Sequence, residues 1–505
     1  MTSSSPAVVR TVTRSVTSSA FLGIASLLAG VLLLPVAINK IGSVEYGFWI
    51  LLTTMTVYLY QADLGMGSAV VRFASAAHAN EDRHGLSSIA CSSLAWMSGV
   101  GFLVAPIVGL GGFWLLRWRA SSSIEPTDIL LLSCLSAGVL LVLGLRAFSA
   151  LLQAVGLWAT ERQYQLVGLF IRVVGTLVIC FYAPSIAAIA ITEASAMILP
   201  SLIAAIKIYR MDLIDIRFSL VTTRRIRELL HYSVRSFAVG AIGTAIIQVG
   251  TVISGLVLPA GQVAYYSAIL RVYLAVRQAI TWVVDPFLPV LSKRYEYDRS
   301  SIQALSLNLI SASSLVGVVG SVALLIATPD LLQYWLGKSA PLDSASIGLR
   351  FMLLAMAVNC LHIGSVSALN AVGMPGAFLR LHVVWLVSTS ILCLGLGYRF
   401  GMVGISLGNA VPILALEAFY IRRGLRLLSI NPDDWWRGCV LPVILSLSFG
   451  LFAMSGAGLA AMVFGISVGS IVLSVAFFAG CVSAGWVFRE SRPVKGIRGL
   501  FSLAA

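Results

Sequence analysis

Charge is scarce in this 505-residue chain: Asp, Glu, Lys and Arg together make up 11% of it, where soluble globular domains carry about 25%. Acidic residues number only 20 against 34 Lys and Arg, and there are five histidines. Counted with glycine and without tyrosine, the apolar share is about 65%, against roughly 45–50% in soluble proteins. A soluble enzyme of this length is therefore excluded. The seven cysteines, at 91, 134, 180, 360, 393, 439 and 481, form no CxxC pair and lie in or at the edge of long apolar runs. They fit small packing residues, neither zinc ligands nor a disulfide framework, so no metal or other cofactor is expected. A GxxxxGK[ST] nucleotide loop is also missing. The outer gaps between apolar runs are short, among them the one from about Arg117 to Thr127, and Glu125 with Asp128 does not make a catalytic site. No catalytic residues are assigned, which disfavours a membrane enzyme such as a polymerase or ligase.

What is abundant is hydrocarbon, with a mean hydropathy of +0.95. About 20 mostly apolar residues span a bilayer as a helix. Fourteen stretches qualify: 18–39, 47–66, 87–116, 128–152, 164–183, 185–206, 234–258, 262–290, 302–328, 345–370, 377–398, 401–421, 438–454 and 457–488. The first lacks a small-residue cleavage site and reads as a membrane helix, not a signal peptide. The expected fold is an all-α polytopic membrane protein with about 14 transmembrane helices.

Alternating loops test that division, because Lys and Arg collect on the cytoplasmic side. With the N-terminus inside, 23 of the 34 basic residues fall in inner segments, while Lys40, Arg117, Arg119, Lys338 and Arg399 fall outside. The other six (Arg146, Arg172, Arg235, Arg271, Arg277 and Arg350) lie within or at the margins of helices. This bias supports the helix count and a cytoplasmic N-terminus, and an even number of spans returns the C-terminus to the same side. The net charge of +14 is then a topology signal and an attraction to anionic membrane lipid, with no nucleic acid implied.

Leu152-Gln153-Ala154-Val155-Gly156 recurs as Leu369-Asn370-Ala371-Val372-Gly373, and Gly42-Ser43-Val44-Glu45-Tyr46 has a counterpart in Gly261-Gln262-Val263-Ala264-Tyr265. Nearly equal offsets at corresponding turns argue for a duplicated six-helix unit, both copies in one orientation. The expected organisation is an N-terminal six-helix lobe (1–206), a basic cytoplasmic linker (207–233), a pseudo-symmetric C-terminal lobe (234–421), a cytoplasmic loop (422–437), and two C-terminal helices with a basic tail (438–505). Asn431-Pro432-Asp433-Asp434-Trp435-Trp436 reads as a helix cap with interfacial tryptophans, not a metal motif.

Leu34-Pro35, the run Ile41-Gly42-Ser43-Val44-Glu45-Tyr46-Gly47-Phe48-Trp49, Asp63-Leu64-Gly65 and Val71-Arg72 resemble the amino-terminal signature of polysaccharide flippases. These Wzx-type O-antigen and exopolysaccharide transporters belong to the multidrug/oligosaccharidyl-lipid/polysaccharide (MOP) exporter superfamily. The resemblance implies two facing six-helix lobes in a MATE-like V, alternating access, and a polyprenyl-pyrophosphate-linked oligosaccharide as substrate. It also implies a monomeric transport unit, working beside a polysaccharide polymerase and a chain-length regulator. Lipid II flippases and multidrug exporters share the superfamily and remain alternatives.

A charge in hydrocarbon costs at least about 2.5–3.5 kcal/mol, so it needs a partner or a wet cavity. Arg172 lies near the middle of the fifth stretch, and Arg271 and Arg277 near the middle of the eighth. Ser267, Arg271, Gln278, Trp282 and Asp285 form one polar stripe at 100° per residue, as a cavity wall would. Gln165, Gly168, Arg172, Gly175 and Thr176 share another face, and Arg146, Ser149, Ala150 and Gln153 a third. Arginine's planar fork suits pyrophosphate, so Arg271, Arg277, Gln278, Arg172 and Arg146 are the candidate substrate-binding residues. Arg172 and Glu193 lie at similar depth and alternatively form a structural ion pair, and Arg146 can alternatively snorkel to the interface. Glu193, Asp285 and Asp63 are candidates for ion coupling or structural pairing. Glu417 is expected at the inner interface, and His362 and His382 as packed neutral residues.

Overall fold

The computed structural model of the chain describes residues 6–60, 64–119, 125–284, 287, 291, 300–337, 340–463 and 469–487. Asp63 and Asp285 lie outside the described residues. The helices are α1 (Pro6–Ile41), α2 (Ser43–Tyr60), α3 (Met66–Ala79), α4 (Arg83–Arg119), α5 (Pro126–Leu141), α6 (Arg146–Ala154), α7 (Trp158–Tyr182) and α8 (Ile186–Arg210). Then follow α9 (Thr223–Val257), α10 (Ala260–Val284), α11 (Ser300–Leu336), α12 (Leu342–Ala371), α13 (Leu379–Leu427), α14 (Leu441–Val463) and α15 (Ser470–Val487). No strand occurs among the described residues.

The fourteen apolar stretches fall in order on α1, α2, α4, α5 with α6, α7 to α12, the two halves of α13, α14 and α15. Two are joined differently from the sequence expectation. The 49-residue α13 carries two stretches and breaks at Gly401, whose φ of 59° and ψ of −136° are not helical. The stretch 128–152 is bent by 40° between α5 and α6, through a short 3₁₀ turn at Leu143–Leu145. Among the described residues, ten helices are individually long and apolar enough to cross a membrane, or eleven with the bent pair as one span. α3 is too short to span and was not anticipated. Its buried residues Met66, Ala69, Val70 and Ala74 follow helical spacing.

By packing, the chain forms two compact units, Met1–Gly255 with Pro259–Ala264, and Leu256–Leu258 with Tyr265–Ala505. In the first, the buried face of α3 joins Leu86, Ile89 and Met97 of α4, Leu151 and Leu152 of α6, Ile208 of α8 and Leu229 of α9. The connector between α8 and α9 is tied to α4: the Asp215 N–H donates to Ser87 Oγ at 2.9 Å, and Ser88 Oγ to the Leu220 carbonyl at 3.1 Å. In the second unit, Phe477 and Cys481 of α15 pack against Val319 and Ala323 of α11. Small residues set the closest helix approaches, as lipid-embedded packing requires. Gly47 of α2 is one such place: a Cβ there would collide with the backbone carbonyl of Ala260. Because backbone cannot swing aside as a side chain does, Gly47→Ala should cost about 1–3 kcal/mol, read as a lowered thermal midpoint of the purified protein.

The two copies of the internal repeat at residues 152–156 and 369–373 adopt the same helix ending. The N–H of Gly156 donates to the Gln153 carbonyl at 3.1 Å and that of Leu157 to Leu152 at 2.9 Å. Gly373 to Asn370 (3.2 Å) and Met374 to Leu369 (2.9 Å) repeat the pattern, with φ of 83° and 81° at the two glycines. Both are Schellman endings that need a left-handed residue. The other repeat pair differs: Gly42 has φ of 114° between α1 and α2, whereas Gly261 lies within the first turn of α10. Ser429 holds the same left-handed position as the two repeat glycines after α13, at φ of 55°, closed by Ile430 N–H to Leu425 at 2.9 Å. Gly156→Ala and Gly373→Ala should each cost about 1–2 kcal/mol, whereas Ser429→Gly should raise the thermal midpoint.

Candidate functional site

The left-handed turn at Gly156 ends α6 and lets α7 start at Trp158, six residues before the apolar stretch that predicted it. Glu161 and Arg162 are thereby brought into the helix. Glu161, Gln165, Gly168 and Arg172 then follow one another at intervals of four, three and four, along one face. Gly168 lets α8 approach until its Ala196 carbonyl and Pro200 ring lie against α7, so the polar face of α7 meets that of α8 directly.

Between these faces and α6 lies a cavity of about 680 Å³, into which Arg146, Gln153, Glu161, Arg162, Gln165 and Arg172 contribute. Ser149 and Ser201 face each other at its wall, Oγ to Oγ 3.5 Å. The Gln165 amide donates to Glu161 Oε1 at 3.0 Å, and Arg162 lies 3.7 Å from Glu161 Oε2. Arg172 pairs with Glu193 of α8 at 2.5 Å. The question of partner left open by the sequence is thus answered by an ion pair, although 40% of the Arg172 side chain remains accessible beside the cavity. Among the described residues, three guanidinium groups against two carboxylates leave the cavity net positive.

The structure therefore brings Arg146 and Arg172 to one cavity and adds Glu161 and Arg162, which the sequence reading did not select. Arg162 had been counted only as a topology marker. The missed signal was the helical spacing of 161, 165, 168 and 172 across an assumed helix boundary at 164.

In the second unit α10 carries Arg271, Arg277 and Gln278, all partly buried. Gln278 donates its side-chain amide to Thr281 Oγ1 at 2.8 Å. Arg277 sits electrostatically close to Tyr273 and Cys360. Near it is a buried cluster that the sequence did not assemble. His362 Nδ1 of α12 lies 2.9 and 2.8 Å from the two carboxylate oxygens of Glu417 on α13. The Tyr420 ring stacks on His362 at 4.3 Å and lies 5.5 Å from the His382 ring. Glu417 was expected at the interface. It is instead buried, at 4% exposure, because His362 and Tyr420 one turn away close over it. His362 is packed as expected, but with a carboxylate partner.

A family model described as "Polysaccharide biosynthesis protein" matches residues 12–294, more than half of the chain. The chain belongs to this family. The match runs from α1 through α10 and so contains the α6, α7 and α8 cavity as well as Arg271 and Arg277. The lipid II flippase MurJ, in an inward closed conformation, is similar in structure with a TM-score of 0.71 at 15% identity, covering 94% of this chain and 98% of that one. An inward-facing multidrug resistance MATE family transporter of the MOP superfamily gives 0.68 at 12% identity, covering 81% and 98%. An outward-facing MATE family transporter gives 0.61 at 13%, covering 83% and 96%. No curated protein matches the chain. The resemblance read from Leu34 to Arg72 agrees with this family, and the fold is the one that the MurJ and MATE structures share.

Proposed function

We propose that the protein flips polyprenyl-pyrophosphate-linked oligosaccharide repeat units across the bacterial cytoplasmic membrane by alternating access, for exopolysaccharide or lipopolysaccharide synthesis. The observation that carries this reading is the net-positive cavity built by Arg146, Arg162 and Arg172 in a family of polysaccharide biosynthesis proteins. A diphosphate leaving water loses hydration that a fixed set of guanidinium donors replaces. The lipid tail never needs to leave the bilayer. Sugar hydroxyls fit the neutral polar part of the same wall, Ser149, Gln153, Gln165 and Ser201.

Arg271, Arg277 and Gln278 are assigned to the same substrate on the second six-helix lobe, in line with the duplication marked by the two Schellman turns. Glu193, held by Arg172, is assigned to structural pairing. Transport is driven by an ion gradient or the membrane potential and needs no covalent step. The working unit is a monomer with cytoplasmic termini, delivering to a polymerase and chain-length regulator.

A lipid II flippase is the second reading, favoured by the 94% coverage on MurJ. Its cargo would also present a diphosphate to the cavity. A multidrug exporter would favour cationic cargo and is disfavoured by the positive cavity. The test is complementation of a flippase-null strain, scoring surface polysaccharide and stranded lipid-linked units. Wild type should restore export, while Arg271→Ala and Arg277→Ala, at matched membrane abundance, should each leave lipid-linked units inside. Rescue of a lethal lipid II flippase deletion, without rescue of polysaccharide export, would favour the second reading.

A further inference from the structure

The first unit holds a second cavity, of about 890 Å³, between α3 and the first turns of α9. Arg72 and Phe73 line it from α3, and Arg224, Arg227, Glu228 and Tyr232 from α9. We propose that this cavity binds the phosphate of a lipid headgroup at the arginine-rich face of the membrane, apart from the transport cavity.

Its charge is unbalanced. Glu228 is the one carboxylate among the described lining residues, and it is engaged by Arg225 at 2.8 Å. Among the described residues no ion pair neutralises Arg72, Arg224 or Arg227. Arg72 is held by aromatic faces in place of an acid, its guanidinium 4.3 Å from the Tyr232 ring centre and 5.7 Å from that of Phe73. The two rings meet edge to face at 5.8 Å. Stacking occupies the flat face of a guanidinium and leaves its N–H edge to donate in the plane, the geometry of bidentate phosphate recognition.

The α9 start adds to this. Thr222 Oγ1 accepts the Arg225 N–H at 3.3 Å, so the helix begins at the cavity, and Thr223 of its first turn lines it. The positive end of a 35-residue helix therefore faces the same space as the arginines. The walls are held in place independently of any ligand. Leu229 and Ser233 of α9 are fully buried on the opposite face, Gly65 at the head of α3 packs against Ser233 and Phe237, and the connector into α9 is pinned to α4. The sequence reading takes residues 207–233 as a basic cytoplasmic linker; here their last eleven residues are the opening turns of a long helix.

The shared chemistry is a lipid-borne phosphate beside an aromatic wall. Two sources carry it: an ordinary anionic phospholipid, and the diphosphate of a polyprenyl carrier arriving as cargo. Only the second depends on the transport assignment.

Native mass spectrometry of the full-length protein would measure binding of phosphatidylglycerol and, separately, of polyprenyl diphosphate, with phosphatidylcholine as the neutral probe. The variant Arg72→Gln/Arg224→Gln/Arg227→Gln should weaken at least one anionic lipid about tenfold or more. The double variant Arg225→Gln/Glu228→Gln, which removes the paired arginine together with its carboxylate and leaves the net charge unchanged, should change it less than about twofold. Arg72→Gln alone repeats the test should the triple variant not fold. A loss confined to phosphatidylglycerol identifies a resident phospholipid, and a loss confined to the polyprenyl diphosphate identifies cargo. Unchanged binding of both lipids, or wild-type binding no stronger than to phosphatidylcholine, overturns the site. Because binding is read without transport, failure of export in cells leaves this result intact.

Discussion

Replacing Glu417 with alanine should cost about 3–5 kcal/mol of stability, the range for removing one member of a buried pair. His362 and Glu417 are 3% and 4% exposed, and the imidazole contacts both carboxylate oxygens. Cutting the carboxylate leaves Nδ1 without its partner in a core where water does not reach, beneath a stacked tyrosine ring. The double variant His362→Leu/Glu417→Met should recover most of the loss, since two apolar side chains of similar volume remove the desolvation cost along with the pair. Thermal midpoints of wild type, His362→Leu, Glu417→Met and the double variant, purified in one detergent, give the coupling directly. A single Glu417→Ala that melts with wild type would show that the pair contributes nothing.

The second large effect concerns Arg172 and Glu193. Each lies in an apolar helix, and each should be destabilising to lose alone, because the survivor is a charge in a nonpolar surrounding. Arg172→Gln should reduce both membrane abundance and export. Adding Glu193→Gln should restore abundance but leave export at least about tenfold below wild type, one pair of charge-assisted hydrogen bonds to cargo being worth more than 1.4 kcal/mol. That split between folding and export is specific to an arginine that both pairs with Glu193 and lines the cavity. Full recovery of export in the double variant would make Arg172 purely structural.

Hydropathy alone located the helices, because a span must satisfy its backbone internally and must be apolar for about 20 residues. It could not see Gly401, since a break with no polar loop leaves the apolar run continuous. Nor could it see α3, whose apolar face covers only four positions in 14 residues.

The candidate site was partly legible for a related reason. Arg146, Gln165 and Arg172 stood out as polar groups inside apolar runs, with Gln153 just past the end of one, and they converge on one cavity. Glu161 and Arg162 stood just outside such a run and looked like loop. The pairing of His362 with Glu417 was invisible because 55 residues separate them and neither helix carries a local hint of the other. Depth matching worked for Arg172 with Glu193 because their helices are consecutive and antiparallel, which fixes relative depth from the sequence alone.

The most direct test of the central claim is translocation by the purified protein in proteoliposomes without nucleotide, under an imposed ion gradient. A lipid-linked oligosaccharide placed in one leaflet would be followed by its accessibility to a glycosidase added outside. Wild type should move it across the bilayer, and Arg146→Gln/Arg162→Gln, folded and reconstituted to the same density, should not. Equal translocation by both proteins would contradict a cationic cavity as the seat of transport. No translocation of any diphosphate-linked glycan by wild type, under either gradient polarity, would contradict the function itself.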